Sequence, residues 1–123
     1  MKKDITVLYV DDEPINIMLF EVNFRKFYQI KTAESGNDGI SKLRLNPEIS
    51  IVISDMKMPG MNGIEFIRQA KTEFPLLQCM ILTGFDVTQD IAKALEEKLI
   101  FKYLSKPFNV KLIIDSIAEA VEL

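Results

Sequence analysis

Polar side chains with the chemistry of a phosphoryl site stand at the carboxyl ends of four short apolar runs. Asp11 and Asp12 follow the first run, and Asp55 follows a run near the middle of the chain. Thr83 and Lys106 stand at or just beyond the ends of two later runs. Carboxylates, a hydroxyl and an ammonium together offer ligands for a hard cation and donors for phosphoryl oxygens. If the runs are parallel strands, all of these side chains lie on one rim of a sheet.

The three carboxylates of this set need a cation between them. At an effective dielectric near 20, neighbouring carboxylates repel each other by up to roughly 4 kcal/mol per pair. The chain has no histidine and a single cysteine, which excludes histidine-based and thiolate metal sites and leaves hard oxygen ligands that favour Mg²⁺. We expect Asp12 and Asp55 to bind Mg²⁺ directly and Asp11 to orient a bound water.

Phosphoryl chemistry assigns roles to the other groups. Asp55 is the candidate phosphoacceptor, because a carboxylate that attacks phosphorus leaves an aspartyl-phosphate. It precedes an irregular loop, residues 56–60, that can expose its oxygen. Lys106 is expected to neutralise one phosphoryl oxygen, and the Thr83 hydroxyl is expected to donate to another.

The elements that must position these groups alternate along the chain. Aliphatic or β-branched runs predict strands over residues 5–10, 28–33, 49–53, 76–82 and 99–104. Patterns between them predict helices that begin after Pro14, at Asn37, at Asn62-Gly63, after an Asp86 cap with Gln89 three residues on, and after an Asn109 cap. Strict alternation predicts one α/β domain over residues 1–123, a doubly wound parallel sheet with helices on both faces. The second run alternates in polarity and is expected at a sheet edge.

The first predicted helix is apolar on two sides. One stripe has the spacing of a core-facing surface and consists of Ile15, Met18, Leu19 and Val22. The roughly opposite face carries Ile17, Phe20, Phe24 and Phe27. These phenylalanines either pack against the final helix or stay partly exposed as a docking patch for a partner protein. The exposure of Phe20 and Phe24 decides between the two.

Composition excludes several classes of function. The chain has 123 residues, 48% hydrophobic content and a net charge of −3, which leaves no electrostatic argument for binding nucleic acid or an anionic membrane. The absence of histidine excludes catalytic triads that use it. No apolar run approaches the roughly 20 residues of a membrane span. Cys79 is expected to be a buried small hydrophobe in a reducing compartment, which favours a cytoplasmic location.

Four motifs together give the chain a family resemblance. They are Asp11-Asp12-Glu13-Pro14, the segment 55–63 (DMKMPGMNG), Leu82-Thr83-Gly84 and Lys106-Pro107-Phe108. In this order and spacing they resemble the receiver domain of bacterial two-component response regulators, of the kind found in chemotaxis regulators. The resemblance covers the whole chain.

The resemblance implies a flavodoxin-like (βα)₅ sheet of strand order 2-1-3-4-5 and a Mg²⁺-dependent site. It implies that the backbone carbonyl of Lys57 completes the metal shell and that the Lys106-Pro107 bond is cis. It also implies that a histidine kinase or phosphotransfer protein donates its phosphoryl group to Asp55. Thr83 and Tyr103 are then expected to switch the face around the fourth helix, the fifth strand and the fifth helix.

Some alternatives stay open at this stage. A phosphatase of the haloacid dehalogenase type also uses an aspartate nucleophile, but it needs an acid where this chain has Lys57. A pseudo-receiver would keep the fold as an interaction module without phosphorylation. Lys57 and Phe85 are bulky at positions that border the path of the hydrolytic water, so we expect slow loss of phosphate. The downstream partner, a dimer that forms on phosphorylation, and whether the chain is a stand-alone regulator or part of a longer one are not decided.

Overall fold

The computed structural model describes residues 4–84, 88–107 and 109–122. Within this part of the chain, strands and helices alternate in the order β1 (Thr6–Val10), α1 (Pro14–Phe24), β2 (Gln29–Ala33), α2 (Gly36–Leu45), β3 (Ile49–Asp55), α3 (Gly63–Glu73), β4 (Gln78–Thr83), α4 (Gln89–Glu96), β5 (Lys102–Ser105) and α5 (Val110–Val121). The strands form one parallel sheet of order β2-β1-β3-β4-β5. The predicted fold class, the strand order and the edge position of β2 are confirmed.

Two apolar clusters cover the two faces of the sheet. One contains buried side chains of α2, α3 and α4, and the other contains those of α1 and α5. Every residue of β1 is buried, as expected for a parallel strand covered on both sides. The sheet is therefore a rigid central layer, and its carboxyl ends are the positions from which side chains reach the candidate site.

The predicted orientation of α1 is wrong. The stripe expected to face the core is exposed, with Ile15 at 62%, Met18 at 54%, Leu19 at 44% and Val22 at 54% of full accessibility. Phe20 and Phe24 are instead completely buried in the cluster shared with α5. Aromatic rings bury more apolar area than aliphatic side chains, so the phenylalanine face sets the rotation of the helix. The alternative in which Phe20 and Phe24 form an exposed docking patch is thereby overturned.

Several element boundaries differ from the predicted ones. Leu76, placed in the fourth strand by its apolar neighbours, lies before β4 and is 92% exposed. Residues 99–101 precede β5 rather than belonging to it. The cap of α4 is Thr88, whose side chain accepts a hydrogen bond from the Ile91 amide, whereas the predicted cap, Asp86, lies outside the described residues. The third helix begins at the predicted Asn62-Gly63, with Asn62 as its cap, and the predicted Asn109 cap of α5 is confirmed.

Two smaller predictions are confirmed. The Lys106-Pro107 peptide bond is cis. Cys79 is buried on β4, and burial raises the pKa of its thiol to about 12. A thiol with that pKa is almost fully protonated at neutral pH, which agrees with a packing role.

Among the described residues, no helix combines the length and the apolar character needed to cross a membrane.

Candidate functional site

Strand register places the candidate site residues side by side. Val10 of β1 pairs with Ser54 of β3, so the residues that follow, Asp11 and Asp55, leave the sheet at the same level. Asp55 in turn pairs with Leu82, the residue before Thr83. Because all the strands are parallel, the polar residues reach one rim from different parts of the sequence, as expected.

Asp11, Asp12 and Asp55 form an acidic cluster on this rim. One carboxylate oxygen from each residue lies within 4.8 Å of those of the other two. Asp11 is completely buried and Asp55 is 7% exposed, whereas Asp12 is half-buried. This spacing suits a shared cation better than three separately solvated groups, because burial removes the water that would otherwise screen their repulsion.

The Lys106 ammonium lies between two of these carboxylates. Its Nζ is 3.2 Å from Asp11 Oδ2 and 3.2 Å from Asp55 Oδ1. The Lys106 amide also donates to the Thr83 carbonyl over 2.8 Å, which ties the loop after β5 to the end of β4. Lys106 is thus held at the candidate phosphoacceptor, where the sequence predicts a phosphoryl contact.

Burial is the main influence on the Asp55 carboxyl. It raises the pKa of Asp55 above its ordinary value, and the negative charge of Asp11 adds to this effect. The Lys106 ammonium and a hydrogen bond from the Met56 backbone act in the opposite direction. The carboxylate is therefore destabilised at its position and gains from further positive charge placed beside it.

Tyr9 is a member of this network that the sequence analysis did not identify. Its hydroxyl donates to Asp11 Oδ2 over 2.6 Å, in the interior of the protein. Burial, followed by the hydrogen bond and the charge of Asp11, raises the pKa of Tyr9 far above its ordinary value, so the phenol keeps its proton. The signal was present in the sequence, because residues two apart on a strand point to the same face.

The loop after β3 is fixed by a close approach of its two ends. The Gly63 amide donates to the Met56 carbonyl over 2.8 Å. A Cβ atom at position 63 would lie 2.3 Å from the backbone oxygen of Asp55, so only glycine fits here. Asn62 and Glu65 exchange hydrogen bonds in a capping box that starts α3 at this point. The loop is thereby held against the candidate phosphoacceptor.

The other predicted residues have less defined surroundings. Thr83 is the last residue of β4, is 1% exposed, and lines a groove of about 220 Å³ together with Lys57 and Asp90. Tyr103 of β5 is half-buried against the cluster of α2, α3 and α4. Lys57 has an exposed side chain, and the metal-binding role of its carbonyl stays a prediction. Phe85 and Phe108 lie outside the described residues.

The residues present fit a hard divalent cation. The three clustered carboxylates and the one ammonium leave two negative charges on the rim. Their donor atoms are all oxygens, as Mg²⁺ prefers. The chemistry of this donor set is compatible with the expected Mg²⁺, whereas the roles of Asp12 and Asp55 as direct ligands and of Asp11 as the holder of a bound water stay predictions.

Known proteins are similar to this chain in sequence. The hydrogenase transcriptional regulatory protein HoxA of Cupriavidus necator is 28% identical over 120 residues, which are 98% of this chain and 25% of that protein. A probable cyclic di-GMP phosphodiesterase of Vibrio cholerae is 34% identical over 112 residues, which are 88% of this chain and 24% of that protein. The chain thus spans about a quarter of the length of these relatives.

Solved structures and a family model complete the comparison. A crystal structure of a response regulator receiver domain protein from Clostridium thermocellum superposes with a TM-score of 0.85 at 28% identity, over 96% of this chain and 94% of that one. The model of the response regulator receiver domain matches residues 7–118. Since that match takes in all of the sheet except Thr6 and all but the end of the last helix, this protein belongs to the receiver domain family of two-component response regulators, a family of signalling domains.

Proposed function

We propose that this domain accepts a phosphoryl group on Asp55 from a phosphohistidine of another protein. The observation that carries the proposal is the Lys106 ammonium, which lies 3.2 Å from an oxygen of Asp55 beside the acidic cluster. These 123 residues contain no histidine, so the donor residue lies outside them, and the proposed donor is a histidine kinase or a phosphotransfer protein. A receiver domain with this site is a phosphoacceptor rather than an enzyme with a separate substrate.

The transfer needs positioning and charge neutralisation more than acid-base chemistry. An oxygen of Asp55 attacks phosphorus and forms the O–P bond, while the P–N bond to the donor imidazole breaks and the imidazole nitrogen takes up a proton. Lys106 neutralises charge on a phosphoryl oxygen, and the Thr83 hydroxyl donates to another. Bound Mg²⁺ would supply charge neutralisation at the transferred group, held by Asp12 and Asp55, through a water by Asp11, and by the Lys57 carbonyl.

The exposed face of α1 is the proposed contact for the donor protein. It consists of Ile15, Met18, Leu19 and Val22. The helix begins two residues after Asp12, so this apolar face borders the acidic cluster. Leu19 also lines a groove with Lys106 and Pro107. A donor that brings phosphorus within about 3–3.5 Å of Asp55 must cover this part of the surface.

The proposed readout is a change in the face made by α4, β5 and α5. Thr83 moves toward the phosphoryl group, and Tyr103, paired through β5 with the strand that carries Thr83, turns inward behind it. Phosphorylation adds charge and acceptor oxygens at one point and biases a two-state surface. A Thr83→Ala protein that still changes this face fully on phosphorylation would contradict the coupling.

A small acyl phosphate tests the acceptor directly. With Mg²⁺, the wild-type protein should gain one phosphoryl unit on Asp55, measured by mass spectrometry of the intact chain and its peptides, and Asp55→Asn should gain none. Turnover of the acyl phosphate without an adduct would instead indicate a phosphatase, which the lysine at position 57 argues against. No reaction at all would indicate a pseudo-receiver.

The donor contact is tested separately with a phosphorylated histidine phosphotransfer protein. Leu19→Ser should slow transfer from that protein and leave the reaction with the small acyl phosphate unchanged. Leu76→Ser is the matched control, because Leu76 is also an exposed leucine but lies before β4, at the opposite end of the sheet. Equal rates for the two variants with the protein donor would refute the contact.

The cytoplasm, where such donors act, is the proposed location.

A further inference from the structure

Tyr9 reaches the acidic cluster from inside the protein. Its side chain is completely buried, and its hydroxyl is 2.6 Å from Asp11 Oδ2. The ring is stacked on Phe20 of α1, with centroids 4.2 Å apart and planes within 4° of parallel. The ring of Phe20 in turn packs against the ring of Phe24, with the two ring centroids 4.5 Å apart. The hydroxyl is thus carried by a ring that is buried and stacked on a neighbouring ring.

The hydrogen bonds of Asp11 are divided unequally between its two oxygens. Oδ2 accepts from the Tyr9 hydroxyl and from the Lys106 ammonium, at 2.6 and 3.2 Å. Oδ1 accepts from the Glu13 amide at 3.0 Å. An ionised carboxyl group has about four lone-pair positions, so these bonds occupy both positions on Oδ2 and one on Oδ1. Counting donors from the described residues alone, the remaining acceptor position of Asp11 is on Oδ1.

We propose that Tyr9 is a positioning residue for the cation site, which fixes the rotation of the Asp11 carboxylate so that Oδ1 is presented to the cation or its bound water. The inference rests on the proposed function, because it concerns the same site. Packing alone does not require the hydroxyl, since a phenylalanine has the same ring. A buried phenol needs an acceptor, and here the acceptor is an oxygen of the acidic cluster.

The hydroxyl also limits the competition between Lys106 and the cation. Without it, one lone pair of Oδ2 has no donor, and the carboxylate is free to turn further toward the ammonium. Oδ1 then loses its fixed direction. Loss of a partner that orients a metal-site ligand typically costs ten- to a hundred-fold in metal affinity, so the expected effect of removing this hydroxyl is about ten-fold.

The test measures Mg²⁺ affinity by isothermal titration calorimetry on the unphosphorylated protein. Tyr9→Phe is expected to weaken Mg²⁺ binding about ten-fold. Tyr28→Phe is the matched control, because Tyr28 is buried in the same apolar cluster but the charge that acts on its pKa is that of Asp115. It should leave the affinity unchanged. Unaltered affinity in Tyr9→Phe would overturn the inference while leaving the phosphoacceptor proposal standing.

Measuring the effect of Tyr9→Phe in a variant that lacks the Asp11 carboxylate separates a positioning role of the hydroxyl from a packing role. In Asp11→Asn the charged acceptor is gone, so adding Tyr9→Phe should change the affinity little further. An equal loss in both backgrounds would show that the hydroxyl acts through general packing and would overturn the inference. A wild-type protein that binds no Mg²⁺ at all would overturn the phosphoacceptor site together with the role of Tyr9.

A spectroscopic measurement keeps the test independent of the folding of Tyr9→Phe. The chain has three tyrosines, so the double variant Tyr28→Phe/Tyr103→Phe retains only Tyr9. Mg²⁺ draws electron density from Asp11 and weakens the phenol hydrogen bond, so the near-ultraviolet tyrosine absorption of this variant should shift to shorter wavelength at saturating Mg²⁺. Mg²⁺ binding without any shift would contradict the proposed contact.

Discussion

Asp55→Asn should stabilise the protein in the absence of divalent cations, by about 2 kcal/mol at neutral pH. Oxygens of the three clustered carboxylates lie within 4.8 Å of one another, and at an effective dielectric near 20 each such pair repels by about 3.5 kcal/mol. Asp55 therefore takes part in roughly 7 kcal/mol of repulsion with its two neighbours. The ion pair with Lys106 at 3.2 Å offsets about 5 kcal/mol of this, which leaves about 2 kcal/mol from charges alone, and the burial of Asp55 acts in the same direction.

The pH dependence of this gain follows from the raised pKa of Asp55. Because the folded protein binds the proton more readily than the unfolded chain, the wild type loses stability as pH rises from the ordinary carboxyl range through the folded pKa. The asparagine variant has no such group. The difference between the two proteins should be absent at low pH, where Asp55 is protonated in both states, and fully present above the folded pKa.

Urea unfolding followed by circular dichroism, in chelator and in Mg²⁺, measures the effect. Glu48→Gln is the control, since it removes one exposed negative charge at the amino end of β3 and should change stability by less than about 0.5 kcal/mol. Mg²⁺ at a hundred times its Kd should stabilise the wild type by about 2.7 kcal/mol and the variant by less. If Asp55→Asn is equally or less stable than the wild type in chelator, the electrostatic reasoning is wrong.

Three further changes test other parts of the structure. Phe20→Ala should lower the free energy of unfolding by about 3–5 kcal/mol, because it leaves a cavity in the core. Val22→Ala, on the exposed face of the same helix, should lower it by less than about 1 kcal/mol. Similar losses for the two variants in urea unfolding would contradict the observed rotation of α1. Gly63→Ala should cost more than about 3 kcal/mol, because its Cβ meets backbone, and normal stability would show that the loop relaxes. Lys106→Met should slow phosphorylation by acyl phosphate at least about 100-fold without weakening Mg²⁺ binding in calorimetry; an unchanged rate would remove Lys106 from the site.

The fold and the positions of the site residues follow from short-range signals in the sequence. Parallel strands that alternate with helices share one direction, so residues at the strand ends had to meet on one rim. Strand direction alone, without side-chain packing, brings Asp11, Asp55 and Lys106 together, as the structure has them. It could not give the network within the rim, such as the sharing of Lys106 between two carboxylates.

The predictions from sequence are wrong where two apolar patterns compete for the same helix face or where packing sets the boundary of an element. Leu76 extends an apolar run but is exposed in the turn before β4, since a run of hydrophobic residues does not mark where hydrogen bonding begins. The first helix is apolar on both sides, so periodicity alone could not choose the face that enters the core. Tyr9 lies inside β1, where a buried tyrosine is also typical of a core residue, so the sequence pattern did not distinguish its contact with Asp11 from ordinary packing.

The rotation of α1 and the organisation of the acidic cluster have one cause. Phe20 enters the core and stacks on Tyr9, and a helix that buries this face must turn Met18 and Val22 outward, because they lie about 200° away around the axis. The same packing therefore holds the phenol against Asp11 and leaves an exposed aliphatic surface beside the site, the proposed contact for the donor protein. A helix rotated to bury the aliphatic stripe would expose two phenylalanines and remove the support of Tyr9. The support of Tyr9 and the outward aliphatic face are therefore two consequences of one rotation of α1.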